Sequence, residues 1–319
     1  MNALRLNAIT EKVKRWGWAV VRIVLIFGLS FVILYPILQK LAVAFKDPVD
    51  LYNRNVVWIP EHFTLRNVTS MIKLLDYEWA VVNTFSISAG VMIVQTMICA
   101  LAGYAFAKLR FRGSSILFGC AIFTILVPPQ TIMVPLYMQF KSFDVFGIVH
   151  LLTGKDGFYL LDSFWPLLVT SLTGMGIKSG LFIYIFRQVF RGLPKELEEA
   201  GFVDGAGIGR TFVQLALPNA VPAIVTVMLF TFVWQWNDTF FTNMYMGNTG
   251  MLLANKLSVM GPWINHMLTG STNVILADPF QVSLLKDVAV LLMMSPLIIM
   301  YLFVQKYFVE SVERTGLTG

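Results

Sequence analysis

Long apolar runs dominate the chain, and the polar residues between them are mostly short punctuation. Runs at residues 18–45, 79–107, 115–140, 164–186, 221–246 and 288–307 reach or approach the ~20 residues that cross a bilayer as a helix. The pattern predicts an all-α, polytopic membrane protein of about six transmembrane helices, with residues 1–319 forming a single membrane domain. Lys12, Lys14 and Arg15 precede the first run as in a signal peptide, but the run far exceeds a 7–15-residue signal core. It therefore reads as an uncleaved span. Residues 195–218 break the pattern: four acids, several glycines and a Leu-Pro ending lie between two long apolar runs.

Composition agrees with the periodicity. Of 319 residues 57% are hydrophobic and 13% charged, whereas soluble domains carry about a quarter charged. A net charge of +6 in a soluble protein would suggest nucleic acid. Here its placement matters more, and no nucleic-acid partner is expected. Basic residues concentrate in one set of loops, most clearly at Lys108, Arg110 and Arg112, and by the positive-inside rule that side is cytoplasmic. Both termini and residues 195–218 fall there. The opposite loops, 46–78, 141–163 and 247–287, are longer and carry Trp58, Trp79, Trp165 and Trp263, which fit a bilayer interface.

No enzyme chemistry emerges. Cys99 and Cys120 sit in apolar runs and read as small core residues, while His62, His150 and His266 are scattered and read as loop residues, so no metal site is expected. Gly154-Lys155 fails as a phosphate loop because Val149 and Asp156 stand where Gly and Ser or Thr are required. The run Gly205-Ala-Gly207-Ile-Gly209 ends on Arg210, follows no strand, and reads as a turn between helices.

Within residues 195–218, Pro194 suits a helix start, and Glu196, Glu198 and Glu199 lie near the positive end of its dipole. Leu197, Ala200 and Gly201 form a narrow apolar face; the glycine run then breaks the helix. A second amphipathic piece from Phe212 to Leu217 follows, until Pro218 stops or kinks it.

Glu199-Ala200-Gly201, three residues, Gly205, nine residues, Leu215, one residue, Leu217-Pro218 closely resembles the EAA loop (EAA-x3-G-x9-I-x-LP) of permease subunits of binding-protein-dependent ABC importers. Gly201 replaces the second Ala and Leu215 the Ile. Phe186-Arg-Gln-Val-Phe190, Leu193-Pro-Lys-Glu-Leu197, Val203-Asp-Gly205, Trp236-Asn-Asp238 and the tail from Gln305 to Gly319 are similar to the carbohydrate branch, maltose-permease G-subunit type. The likeness is weakest in the outer loops, above all in residues 145–163.

The resemblance implies a heterodimer with a homologous permease subunit, a dimer of cytoplasmic ATPases gripping each EAA loop, and an extracytoplasmic solute-binding protein. It places the chain in a bacterial cytoplasmic (inner) membrane. No cofactor is expected on this chain; ATP and magnesium belong to the partner ATPase. Glu199, Ala200, Gly201, Asp204, Gly205, Leu215, Leu217 and Pro218 become the expected ATPase-coupling residues, and the transported solute a sugar or oligosaccharide.

Charges inside a bilayer usually face a cavity or a partner. Lys178 falls mid-way along the fourth run, and Trp234, Trp236, Asn237 and Asp238 towards the outer part of the fifth; these are the candidate pathway residues. At ~1.5 Å per residue, Lys178 and Asp238 differ in depth by roughly 12 Å, so they pair only if a helix is broken, which Gly174, Gly176 and Gly180 permit. Lys178 also raises an acidic, uronate-containing saccharide as the solute. A self-sufficient secondary transporter would show paired inverted repeats, and a membrane enzyme a constellation of titratable residues; neither pattern is present.

Overall fold

A computed structural model describes residues 2–145, 147–154, 156–247, 249–270 and 276–316. Among them the regular structure is helical, with two isolated β-bridges, Lys46 to Phe63 and Phe143 to Phe158. The helices are α1 (Asn2–Ala44), α2 (Arg66–Leu74), α3 (Tyr77–Lys108), α4 (Ser114–Leu126), α5 (Met133–Lys141), α6 (Ile148–Thr153), α7 (Trp165–Leu172), α8 (Ser179–Arg191), α9 (Lys195–Val203), α10 (Ile208–Thr211), α11 (Leu217–Asn219), α12 (Val221–Asn237), α13 (Phe240–Met246), α14 (Leu253–Thr269) and α15 (Pro279–Gly316). The end of the family-like tail, residues 317–319, lies outside the described residues, as does Lys155.

Every predicted apolar run is helical, but among the described residues only α1, α3 and residues 279–306 of α15 are unbroken helices long and apolar enough to cross a membrane. The number reaches five if each of two bent pairs is one span. The third run breaks between α4 and α5, a 107° bend. Pro128 and Pro129 explain it: Val127 is pushed to extended backbone before one proline, and neither proline donates to a helix ladder. The fourth run, expected as one span, is divided into α7 and α8. Gly174 (φ 72°) and Lys178 (φ 59°) sit in left-handed backbone there, a conformation no helix continues through. The fifth turns by 81° on entry to α12 and breaks again at Asp238, where the backbone is extended. The segment 247–287, expected as a loop, holds the unpredicted α14, a mixed polar and apolar helix.

Two compact units divide the chain: Met1–Leu74 with Gly261–Met293, and Leu75–Met260 with Met294–Gly319. In the first, residues 46–62 are tied by polar contacts. Lys46 Nζ donates to the Val56 and Val57 carbonyls at 2.7 and 3.0 Å, the Asn67 amide donates to the Ala44 and Lys46 carbonyls, and Lys40 pairs with Asp287.

The second unit is organised around α3. Its buried positions include Ala80, Thr84, Ser88, Val91, Gln95, Cys99 and Gly103, one stripe at three- and four-residue spacing. Small and polar residues on such a stripe let neighbouring membrane helices approach closely. The Gly103 Cα is so near α8 that a Cβ would lie 2.5 Å from Phe186 Cβ and 2.9 Å from the Arg187 nitrogen. Around that contact a core of Cys99, Tyr104, Phe182, Phe186, Phe190, Phe212 and Val227 closes. Cys120, by contrast, is exposed on α4 rather than part of a core, and His150 and His266 lie in α6 and α14 rather than in loops.

Candidate functional site

Residues 195–218 form helical pieces on either side of a glycine turn. Of the expected packing face Leu197, Ala200 and Gly201 only Gly201 is buried, because Leu197 and Ala200 point away from the core. Pro194 caps α9 and the first turn carries Glu196 and Glu198. Gly205 (φ 78°) turns the chain after Val203, α10 begins at Ile208, and a π-helical turn at Phe212–Ala216 leads through Leu217 and Pro218 to the 81° bend. The π turn accommodates Pro218, which supplies no backbone donor.

One face of this segment is anchored and the other is open. Phe212 and Ala216 enter the core, and Gly201 is buried. A Cβ on Gly201 would meet Leu215 Cδ1 at 2.9 Å and Thr211 Oγ1 at 3.7 Å. The two departures from the EAA pattern therefore touch each other: the longer reach of leucine occupies the space that the missing methyl leaves. Glu199, Ala200, Asp204 and Gly205 are exposed, as are Leu197, Phe202, Val203 and Ile208. Four exposed apolar side chains interleaved with Glu196, Glu199 and Asp204 make a mixed surface of the kind a protein partner covers.

Sequence reasoning passed over how α9 is held. Lys108, the last residue of α3, places Nζ 3.3 Å from Glu198 Oε2, with the side chains 10% and 14% exposed. The same ammonium donates to the Leu193 carbonyl at 3.0 Å. On α9, Glu198 thus faces inward and Glu199 outward, a distinction that spacing alone does not reveal.

The candidate pathway residues separate into different environments. Lys178 is exposed at the break between α7 and α8. The break is tied down from α3: Gln95 Nε2 donates to the Ile177 carbonyl at 2.7 Å and approaches Ser179 Oγ at 3.1 Å. Trp234 is half-buried and packs on Phe182 and Phe230 at centroid distances of 5.5 and 5.7 Å. Trp236 is buried beside Phe232, and the exposed Asn237 amide donates to the Val233 carbonyl of its own helix. Asp238 caps α13, accepting from the Thr242 and Phe241 backbone nitrogens at 2.7 and 3.3 Å. A cavity of about 30 Å³ lies beside the same break, lined by Thr170, Ser171, Gly176, Gln235 and Tyr245 among others. Gln235 Nε2 and the Tyr245 hydroxyl are buried there with no protein partner. The space suits a single water, which would satisfy both.

In the first unit Asp50, Glu61 and His62 bring their polar atoms within 4.8 Å of one another. They satisfy each other: Asp50 accepts from the His62 backbone at 2.9 Å and meets Nδ1 at 2.8 Å, and Glu61 accepts from Asn53. The bond to Asp50 raises the His62 pKa, and the bond to His62 lowers that of Asp50.

Comparison with known proteins places this architecture. The family described as "Binding-protein-dependent transport system inner membrane component" matches residues 96–314, which include α9 to α13 and the break at Lys178. The alpha-glucoside transport system permease protein AglG of Rhizobium meliloti (strain 1021) is 28% identical over 230 residues, 70% of this chain and 57% of that protein. The chain thus spans little more than half the length of that relative. The osmoprotective compounds uptake permease protein GgtD of Synechocystis sp. (strain ATCC 27184 / PCC 6803 / Kazusa) is 26% identical over 291 residues, 87% of this chain and 91% of that one. A crystal structure of a bacterial ABC transporter involved in the import of the acidic polysaccharide alginate shares the fold, with a TM-score of 0.68 at 20% identity over 91% of this chain and 96% of that one. With a family match over most of its length, this chain is a multi-pass transporter component and belongs to the binding-protein-dependent transport system inner membrane components.

Proposed function

We propose that the chain forms half of the translocation path of a sugar or oligosaccharide ABC importer and couples it to ATP hydrolysis on partner subunits. A homologous permease subunit supplies the other half, an extracytoplasmic binding protein delivers solute, and a dimer of cytoplasmic ATPases carries ATP and magnesium. Both termini and residues 195–218 face the cytoplasm of a bacterial cell, a reading supported by the basic residues beside α3, α4 and α8.

The observation that carries this reading is the two-sided coupling segment. Its inner face is fixed through Gly201, Glu198 and Phe212, and its outer face presents Glu199, Asp204 and exposed apolar side chains. A rigid helix with an open mixed face can follow a partner's motion; a flexible loop would dissipate it. ATP-driven closure of the ATPases then moves the helix, and the path opens alternately to either side. The test is capture of the ATPase by a benzophenone attached at Val203→Cys (Val203 is 87% exposed), with Cys120→Ser as background. Capture is expected, and Glu199→Ala is expected to weaken it. An ATPase that co-purifies but is never captured would overturn the assignment.

A second reading concerns solute charge. Lys178 is a cation exposed at a break in an apolar segment, with its backbone held in left-handed conformation. Such strain away from glycine is uncommon and clusters at functional positions. An acidic saccharide would use it. Lys178→Met is then expected to reduce uptake of an acidic saccharide at least tenfold and to spare a neutral one; equal uptake of the acidic solute removes the reading.

A further inference from the structure

The coupling helix α9 and the break at Lys178 are separated along the chain and fastened to the same element. At one end of α3, Lys108 holds Glu198 at 3.3 Å and the Leu193 carbonyl at 3.0 Å. Thirteen residues earlier, about 20 Å along the helix, the fully buried Gln95 holds Ile177 and Ser179, the two residues that flank Lys178. Between these points Gly103 lets the backbone of α3 lie against α8 with no space for a methyl group, and Arg187 Nε donates to the Phe106 carbonyl at 3.3 Å.

These contacts bear on which element moves what. The covalent link from α8 to α9 passes through Gly192, Leu193 and Pro194, a three-residue connection in which glycine leaves the angle between the helices free. The Lys108–Glu198 pair removes that freedom. Both side chains are mostly shielded, and the Tyr104 hydroxyl lies close to Glu198 as well. Pulling the pair apart leaves each shielded charge without its counter-ion, which costs more than separating a solvated pair. The pair therefore moves as one body. At the other end Gln95 is the only described side chain that donates to the Ile177 carbonyl, so a shift of α3 along its axis displaces the strained segment directly.

We propose that α3 is the strut that carries the displacement of the coupling helix, through Lys108–Glu198, to the Lys178 break through Gln95. The inference rests on residues 195–218 being the ATPase-coupling segment. Lys108, Glu198 and Gln95 are positioning residues: none is assigned contact with solute or nucleotide.

The experiment uses the complete transporter with its binding protein in liposomes and reads solute transported per ATP hydrolysed, beside ATPase capture at Val203→Cys. Lys108→Met and Glu198→Gln are expected to lower transport per ATP at least tenfold with capture unchanged. The exchange Lys108→Glu with Glu198→Lys is expected to restore it to within about threefold. Gln95→Leu, which leaves the charge pair intact, is expected to uncouple from the opposite end. Normal transport per ATP in the single variants, with capture retained, overturns the strut and leaves the coupling segment standing. Loss of capture in otherwise unaltered protein overturns the coupling reading itself. Where the charge variants fail to assemble, Gln95→Leu decides: normal stoichiometry there overturns the strut.

Discussion

α1 and α3 are both long apolar helices, yet they do different work. In α1 the stretch from Trp16 to Leu41 is exposed on nearly every side, and Gly17 and Gly28 have nothing within 4 Å of where a Cβ would be. In α3 a third of the apolar stretch is buried, and the buried positions are chiefly Ala, Thr, Ser, Gln, Cys and Gly. Hydrophobicity marks a helix that can live in lipid. Small and polar side chains mark the face that another helix covers, because lipid and leucine are equally apolar and only close packing or a hydrogen bond distinguishes the protein neighbour.

The most direct way to break this contrast is to place the same large residue on each helix. Gly103→Leu forces side-chain atoms into the backbone of α8, where even a Cβ would stand 2.9 Å from the Arg187 nitrogen. We expect a loss of about 3 kcal/mol and little recoverable protein. Gly28→Leu is expected to leave yield and Tm in detergent unchanged. Equal damage from both would show that α1 is packed as tightly as α3.

Removing bulk sharpens the same comparison at a somewhat smaller scale. Phe186 is fully buried in the α3–α8 core, whereas Phe27 on α1 is 74% exposed. Phe186→Ala is expected to cost about 3 kcal/mol through the cavity it leaves, and Phe27→Ala less than about 0.5 kcal/mol. Thermal unfolding of the two variants in one detergent measures the difference.

These contrasts also show what the sequence discloses. The apolar runs and the 195–218 pattern were legible because membrane solvation and turn chemistry act through local composition. Gly205 and Pro218 break or bend the chain where such residues must. The breaks within the runs were half legible: Pro128 and Pro129 stand in the open, but the left-handed backbone at Lys178 sits between neighbours that Gln95 bonds from another helix, 82 residues away from Ile177, which no local pattern discloses. The inward turn of Glu198 was hidden, because Glu198 and Glu199 are chemically alike and only the position of Lys108 on another helix separates them. α14 was missed for a different reason: its polar positions mimic a loop, and its helical pattern is diluted by Gly261 and Pro262.

The rule that a small residue answers a large one extends to Gly201 and Leu215. Gly201→Ala gains about 1 kcal/mol of helix propensity but pushes a methyl to 2.9 Å from Leu215 Cδ1, the far end of a flexible side chain. Alone it is expected to be nearly neutral. Combined with Leu215→Ile, which restores the commoner pairing, it is expected to gain about 1 kcal/mol over the sum of the single changes. A double-mutant cycle on Tm reads this coupling, and additivity within about 0.3 kcal/mol would separate the two departures.

The smallest effect concerns what orders the first unit where α1 contributes so little packing: the Asp50–His62 contact. The pKa of His62 is raised from 6.5 in the folded chain by Asp50, so its contribution is complete below about 6.5 and is lost as pH rises through the raised value. Asp50 is lowered from 3.8 by His62, so its contribution is complete above about 3.8 and is lost as pH falls through the lowered value. Both hold between about 3.8 and 6.5. Hydrogen exchange at the His62 amide, which donates to Asp50 at 2.9 Å, is therefore expected to show its greatest protection in that window after correction for intrinsic rates. Protection should decline on the alkaline side as the imidazolium loses its charge, because the bond to Asp50 then loses its charge assistance. His62→Gln should remove the alkaline decline while retaining the backbone bond. An unchanged pH profile in that variant would place the order of residues 46–62 elsewhere, in the Lys46 and Asn67 contacts to backbone carbonyls.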